Sequence, residues 1–276
     1  LITLLIISLK KIFIKVKTFN IPIICIGNIY IGGTGKTPTA IFIAEELTNN
    51  GRKPAILRKF YNDHTDEYDQ IRSSFKSLIL NKYREEGIKE AKEKGYDTVI
   101  LDDGLQDYRI KKNLNIVCFN KNQLDGNGLI LPSGPLREKL NAIKNVHIVL
   151  INGNKDNDFE KKLLKINKDL EIYYSFYNPV NINEFKNKKL LALAGIANPE
   201  NFFMLLQKNG LTVSERLIFP DHYKFTKKEF SNIMDIAERK KLKIIMTEKD
   251  FFKINDFGLE NLSYLKVSLE INNKEK

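Results

Sequence analysis

Cysteine and histidine are both scarce in this 276-residue chain: two cysteines and three histidines. Cys25 and Cys118 each lie inside an apolar run, without metal-ligand or redox spacing, which argues for two buried thiols in a reducing compartment rather than a disulfide framework. His64, His147 and His222 are too scattered, and too poor in cysteine company, for a structural zinc site. Long hydrophobic runs are also missing. The apolar start LITLLIISL falls far short of the roughly 20 residues of a spanning helix. It does not read as a signal peptide either, because its lysines follow the apolar run and no small-residue cleavage site appears. Leu4, Leu5, Ile6, Leu9, Ile12 and Phe13 fall on one helical face beside Lys10, Lys11, Lys15 and Lys17. That pattern suits a helix in the interface of an anionic membrane or, alternatively, one packed on the body of the protein.

What is abundant is positive charge, with 45 Lys and Arg against 34 Asp and Glu, a formal net charge of +11. Such a surplus attracts anions: nucleic acid, acidic lipid headgroups or phosphorylated substrates. The lysines are spread along the chain and no nucleic-acid reading motif is present, so nucleic acid is not the expected partner. With 42% hydrophobic residues the chain can bury one large core or two modest ones.

Short β-branched runs alternate with helical patterns, at 21–27, 53–59, 97–103, 114–120, 147–151, 189–195 and 243–248. Continuous apolar runs mean strands covered on both faces, hence an α/β fold with a mostly parallel sheet flanked by helices. The first helix is predicted from about Lys36 to Thr48, with Pro38 in its first turn and Asn49-Asn50-Gly51 as its stop. The polar stretch 152–187, around a possible strand IYYSFY, reads as a linker. The expected organisation is therefore an N-terminal interfacial helix (1–18), a P-loop domain (19–151), that linker, and a smaller α/β lobe (188–272).

GNIYIGGTGKT joins the first strand to the first helix. The P-loop pattern wraps phosphates in backbone N–H groups, neutralises them with a lysine and holds Mg²⁺ with a hydroxyl. Gly35, Lys36 and Thr37 fit it, and Gly32, Gly33 and Thr34 complete the cradle, although Tyr30 occupies the first glycine position. Asp102 and Asp103, after the buried run TVIL, are the carboxylates expected to join Thr37 in organising Mg²⁺. These features fit an ATPase, a GTPase or a kinase. Asn120-Lys121-Asn122-Gln123 lacks the aspartate of the GTPase signature. A switch ATPase of the partitioning or metal-insertion type is the main alternative, but Ile31 stands where that class has its signature lysine.

GNIYIGGTGKTP, ILDDGLQD, GNGLILPSGPLRE, LALAGIANPENFF, FPDHYKFT and MTEKD occur in the order found in tetraacyldisaccharide 4'-kinase, and the chain resembles that family from about residue 20 to 253. The resemblance implies a P-loop NTPase-type domain with a second, smaller lobe. It also implies a lipid A pathway enzyme that moves the γ-phosphate of ATP, with Mg²⁺, to the 4'-hydroxyl of a tetraacyl disaccharide 1-phosphate. The location it implies is the cytoplasmic face of the bacterial inner membrane, with no protein partner required. Asp66, in Thr65-Asp66-Glu67, falls where the family has its catalytic base, and His222 matches a histidine that assists it. On residues alone, Asp63, Asp66 and Asp69 could equally be surface charges. Arg137 and Glu138 match family positions near the nucleotide, and Arg58 matches an arginine whose family neighbours are replaced here by Lys59 and Phe60. Asp107 and Leu105 replace the family's usual histidine and phenylalanine after the double aspartate, and Thr65 replaces a glycine. Thr247 to Asp250, after the strand IIM, read as structural or hinge-side.

Overall fold

The computed structural model describes residues 15–62, 65–221, 223–260 and 262–272, without the side chain of Asp66. The chain divides into two compact units, one of 1–61, 75–176 and 271–276, the other of 62–74 and 177–270.

The first unit is built on β1 (Ile23–Gly27), β2 (Pro54–Lys59), β3 (Leu78–Asn81), β4 (Thr98–Asp102), β5 (Leu114–Asn120), β6 (Ile148–Asn152) and β7 (Glu171–Pro179). Its helices are α1 (Lys36–Asn49), α3 (Arg84–Glu93) and α4 (Asn157–Ile166), while α2 (Thr65–Ser74) belongs to the second unit. The sheet order is β12-β7-β6-β5-β1-β4-β2-β3, with β12 (Val267–Ile271) at one edge. β1 pairs in parallel with both β4 and β5, and β2 with both β4 and β3. β1 and β4 are almost wholly buried, as expected where helices cover both faces of a sheet. The connection from β1 runs one way past β4 to β2, and that from β4 runs back past β1 to β5. The reversal makes a topological switch point at the carboxyl ends of β1 and β4, where open α/β sheets place their ligands.

The second unit has a four-stranded sheet in the order β11-β10-β8-β9, from β8 (Lys189–Ala194), β9 (Thr212–Ile218), β10 (Lys243–Thr247) and β11 (Tyr264–Leu265), all paired in parallel. Its helices are α5 (Pro199–Lys208), α6 (Lys227–Arg239) and α7 (Glu248–Ile254). Two apolar clusters cover this sheet, one around Phe203 and Leu206, the other around Phe230 and Met246.

Several boundaries differ from the sequence reading. Residues 152–187 hold α4, capped by Asp156 accepting from the backbone N–H of Asp158 and Phe159, as well as β7, which contains the possible strand IYYSFY. A polar surface with one apolar stripe, carried by Phe159 and Leu163, makes such a helix look like a linker. The segment 62–74 groups with the second unit although it lies early in the chain. Of the N-terminal interfacial helix, residues 1–14 lie outside the described residues; Lys17 is in extended backbone, bridged to Ile110. Among the described residues no helix is long and apolar enough to cross a membrane.

Candidate active site

The loop after β1 is pinned from inside by buried amides. Asn28, fully buried, donates from Nδ2 to the Thr34 hydroxyl at 3.2 Å and to the Gly32 carbonyl at 3.5 Å. Asn120, the last residue of β5, donates to the Gly33 carbonyl at 3.5 Å, and Gln106 donates to the Asn28 carbonyl at 2.9 Å. Gly32 (φ 132°) and Gly35 (φ 84°) adopt left-handed backbone, which lets the loop turn back into α1 without a Cβ in the way. Tyr30, at the unmatched glycine position, is completely buried. Its ring lies 5.9 Å from that of Phe119, and its hydroxyl accepts the Asn120 N–H at 2.7 Å. The tyrosine thus anchors the loop to β5, and the turning is left to the later glycines.

Thr37, at the start of α1, donates its hydroxyl to Asp102 Oδ2 at 3.0 Å. Asp102 is the last residue of β4 and its side chain is fully buried. In the parallel register it sits opposite Arg58 of β2. Arg58 accordingly ion-pairs with Asp102 Oδ2 and donates to the Thr37 hydroxyl at 3.1 Å. The other oxygen, Asp102 Oδ1, is buried and has no hydrogen-bond partner among the described residues. An orphaned carboxylate oxygen beside a threonine hydroxyl is an all-oxygen donor set that suits a hard cation such as Mg²⁺, which takes one or two protein ligands and completes its shell with water and phosphate. Among the described residues no group of three or more His, Cys, Asp or Glu forms a larger cage.

Asp103 has a different environment from its neighbour. Its backbone is left-handed (φ 58°), and its carbonyl accepts from Arg84 at 2.6 Å. Arg137 Nη1 reaches both its carboxylate oxygens, at 3.2 and 3.3 Å, while Lys36 Nζ lies 3.9 Å away. Burial pulls the Asp103 carboxyl upward, but the Lys36 and Arg137 charges outweigh it and hold the group below the usual carboxylate range. Asp103 therefore links the loop lysine to Arg137, a positioning contact more than a free metal ligand. Glu138, next to Arg137 and nearly buried, accepts from the Tyr108 hydroxyl. Asp107, the departure from the family histidine, faces arginines, at 3.2 Å from Arg109 and 3.6 Å from Arg84. Leu105, the other departure, packs so closely on Gly27 that a Cβ there would meet it at 2.5 Å.

Of the sequence-predicted residues, the structure brings together Lys36, Thr37, Asp102, Asp103 and Arg137, all in the first unit. Asp66 lies in α2 of the second unit, its side chain undescribed, and His222 is outside the described residues. Sequence reasoning did not single out Asn28, Asn120 or Gln106 as loop supports. The one available signal was position, since Asn28 and Asn120 each end or follow a buried strand.

A parallel sheet with a switch point, a glycine cradle running into a helix, a Lys-Thr pair and a strand-end aspartate together define a P-loop nucleotide-phosphate-binding protein. The particular kind follows from similarity across the whole chain: it belongs to the tetraacyldisaccharide-1-P 4'-kinase (LpxK) family, whose model matches residues 1–76 and 66–276. A relative named tetraacyldisaccharide 4'-kinase from Pelagibacter ubique is 40% identical over 264 residues, covering 95% of this chain and 84% of the relative. One of the same name from Francisella tularensis subsp. novicida is 33% identical over 297 residues, covering 95% and 90%. The solved structure of LpxK from Aquifex aeolicus in complex with ATP shares the fold, with a TM-score of 0.75 at 23% identity over 99% of this chain and 93% of that one. The chain is thus a member of an ATP-dependent phosphotransferase family, and the switch-ATPase alternative is not favoured.

Proposed function

We propose that this protein transfers the γ-phosphate of ATP to the 4'-hydroxyl of a tetraacyl disaccharide 1-phosphate, working at the cytoplasmic surface of the bacterial inner membrane. The observation that carries the reading is the Thr37–Asp102–Arg58 cluster beside the glycine loop, in a chain of this family. Thr37 and Asp102 would hold Mg²⁺, which would supply positive charge to offset that of the nucleotide phosphates. Lys36 and the loop N–H groups stabilise the transferring phosphoryl group, and Asp103 with Arg137 keeps Lys36 aimed at the cradle. Arg137 and Glu138 line the nucleotide side.

Asp66, assisted by His222, takes the proton of the sugar hydroxyl as its oxygen bonds to phosphorus and the bond to the β-phosphate oxygen breaks, releasing ADP. The excess positive charge of the chain matches the anionic substrate and membrane surface. The test is NMR analysis of the lipid product after incubation with Mg-ATP. The expected spectrum has a phosphate coupled to the proton at the 4' carbon, formed by wild type and lost in Asp66→Ala. Phosphate at any other carbon contradicts the assignment, and full activity of Asp66→Ala removes the named base.

A further inference from the structure

We propose that Lys249 is a positioning residue that clamps together the two chain segments bearing Asp66 and His222. The inference rests on the reading of those two residues as the pair that prepares the acceptor hydroxyl. Lys249 lies in the first turn of α7, and its Nζ stands 3.1 Å from Asp221 Oδ1 and 3.7 Å from Glu67 Oε1. Asp221 immediately precedes His222, and Glu67 immediately follows Asp66. A single ammonium thus joins α2 to the FPDHYKF segment, one residue away from each proposed functional side chain.

The burial of the Glu67 side of this contact separates it from an ordinary surface ion pair, while Asp221 is 35% exposed. The Lys249 and Glu67 side chains are only 16% and 17% exposed, so the charges are less screened than at an open surface. Glu67 and Asp221 carry like charges on separate segments, and Lys249 is the cation they share. Removing it takes away a cation that bridges the two segments and offsets the repulsion between these carboxylates, which loosens the placement of the segments.

The remainder of the TEKD motif holds Lys249 in place. Thr247 caps α7 by accepting the Asp250 N–H at 3.2 Å. Asp250, fully buried, accepts the Gly195 N–H at 2.8 Å and pairs with Lys253 at 2.7 Å. Glu248 Oε2 accepts from Gln70 Nε2 at 3.5 Å. Glu67 and Gln70 are three residues apart on α2 and share a face, so α2 is held against the start of α7 at two points. Thr247 and Asp250 thus fix the start of α7, Glu248 and Lys249 both hold α2, and Lys249 also reaches Asp221. Small misplacements at a reacting centre cost on the order of 100-fold in rate, which is why a clamp at this position matters to turnover.

The experiment measures γ-phosphate transfer by the full-length protein at saturating Mg-ATP and lipid, for wild type, Lys249→Met, Lys249→Arg and Asp66→Ala, each also combined with Asp66→Ala where a lysine variant is tested. Lys249→Met is expected to lower kcat by about 10- to 100-fold, with KM for Mg-ATP within about twofold and the thermal unfolding midpoint nearly unchanged. Lys249→Arg keeps a cation between the same carboxylates and is expected to recover most of the rate. In the Asp66→Ala background, Lys249→Met should add no further loss. Wild-type kcat in Lys249→Met alongside an inactive Asp66→Ala overturns the clamp and leaves the base standing. A raised KM for lipid with unchanged kcat overturns it in favour of direct substrate binding, and an active Asp66→Ala overturns the base reading and the clamp with it.

Discussion

Replacing Arg58 with methionine tests the electrostatics of the site directly. Asp102 is fully buried and Arg58 is only 11% exposed, so the variant leaves a carboxylate inside the protein with its guanidinium partner gone. Breaking such a buried pair costs on the order of 3–5 kcal/mol, far more than the pair is worth relative to apolar residues, because an uncompensated charge remains. At roughly 2–4 °C per kcal/mol for a domain of this size, that corresponds to a fall of about 6–20 °C in the melting temperature of the first unit. The loss should be partly reversible by ligand. A cation held by Thr37 and Asp102 restores positive charge beside the same carboxylate, so millimolar Mg-ADP should raise the melting temperature of Arg58→Met more than that of wild type. Differential scanning calorimetry with and without Mg-ADP, and with ADP plus chelator as the metal-free control, reads both effects. Equal melting of variant and wild type, or equal stabilisation of both by magnesium, refutes the reasoning.

Restoring the strict P-loop pattern with Tyr30→Gly should damage the protein, because it empties a fully buried ring site against Phe119 and leaves the Asn120 N–H unpaired. A loss of about 3–5 kcal/mol in urea unfolding is expected, and wild-type stability would contradict it. Gly195→Ala brings a Cβ to 2.9 Å from Asp250 Oδ1, so the second unit should lose about 1–3 kcal/mol, read as an earlier urea midpoint. Because Asp103 is held below its usual range, its pairing stabilises the protein above the unfolded-state value near 3.9, and that contribution disappears as pH falls through the lower folded-state value. Arg137→Gln should therefore cost stability at pH 6, with the gap from wild type narrowing toward pH 3; a gap independent of pH contradicts the assignment. Burial pushes the Cys25 and Cys118 thiols up to about 11 and about 12, so neither should react with a thiol reagent at pH 8 until the protein is unfolded, when both titrate.

The buried strands were legible because apolar runs covered on both faces have few other readings, and β1, β4, β5 and β10 fall within a residue or two of the runs that announce them. β3 and β9 were not. β3 is four residues at a sheet edge, and β9 alternates exposed and half-buried positions, so neither forms a continuous apolar run. In the site, GKT and the double aspartate stood out by composition and spacing. The division of labour between the two aspartates did not, because it depends on register: Asp102 ends β4 opposite Arg58, whereas Asp103 turns left-handed toward Arg137 and Lys36. The amides of Asn28 and Asn120 were equally hidden, since they support the loop only through partners that the fold brings near. The TEKD motif was visible as a string, but its meaning lies in contacts to residues distant in sequence, such as Gly195, 55 positions from Asp250, and Glu67, 182 from Lys249.

The central claim is tested most directly by incubating the protein with γ-labelled Mg-ATP and tetraacyl disaccharide 1-phosphate in mixed detergent micelles, beside the Lys36→Ala variant. Labelled lipid from wild type and almost none from Lys36→Ala is the predicted result. ATP hydrolysis by wild type without any label entering the lipid contradicts the assignment.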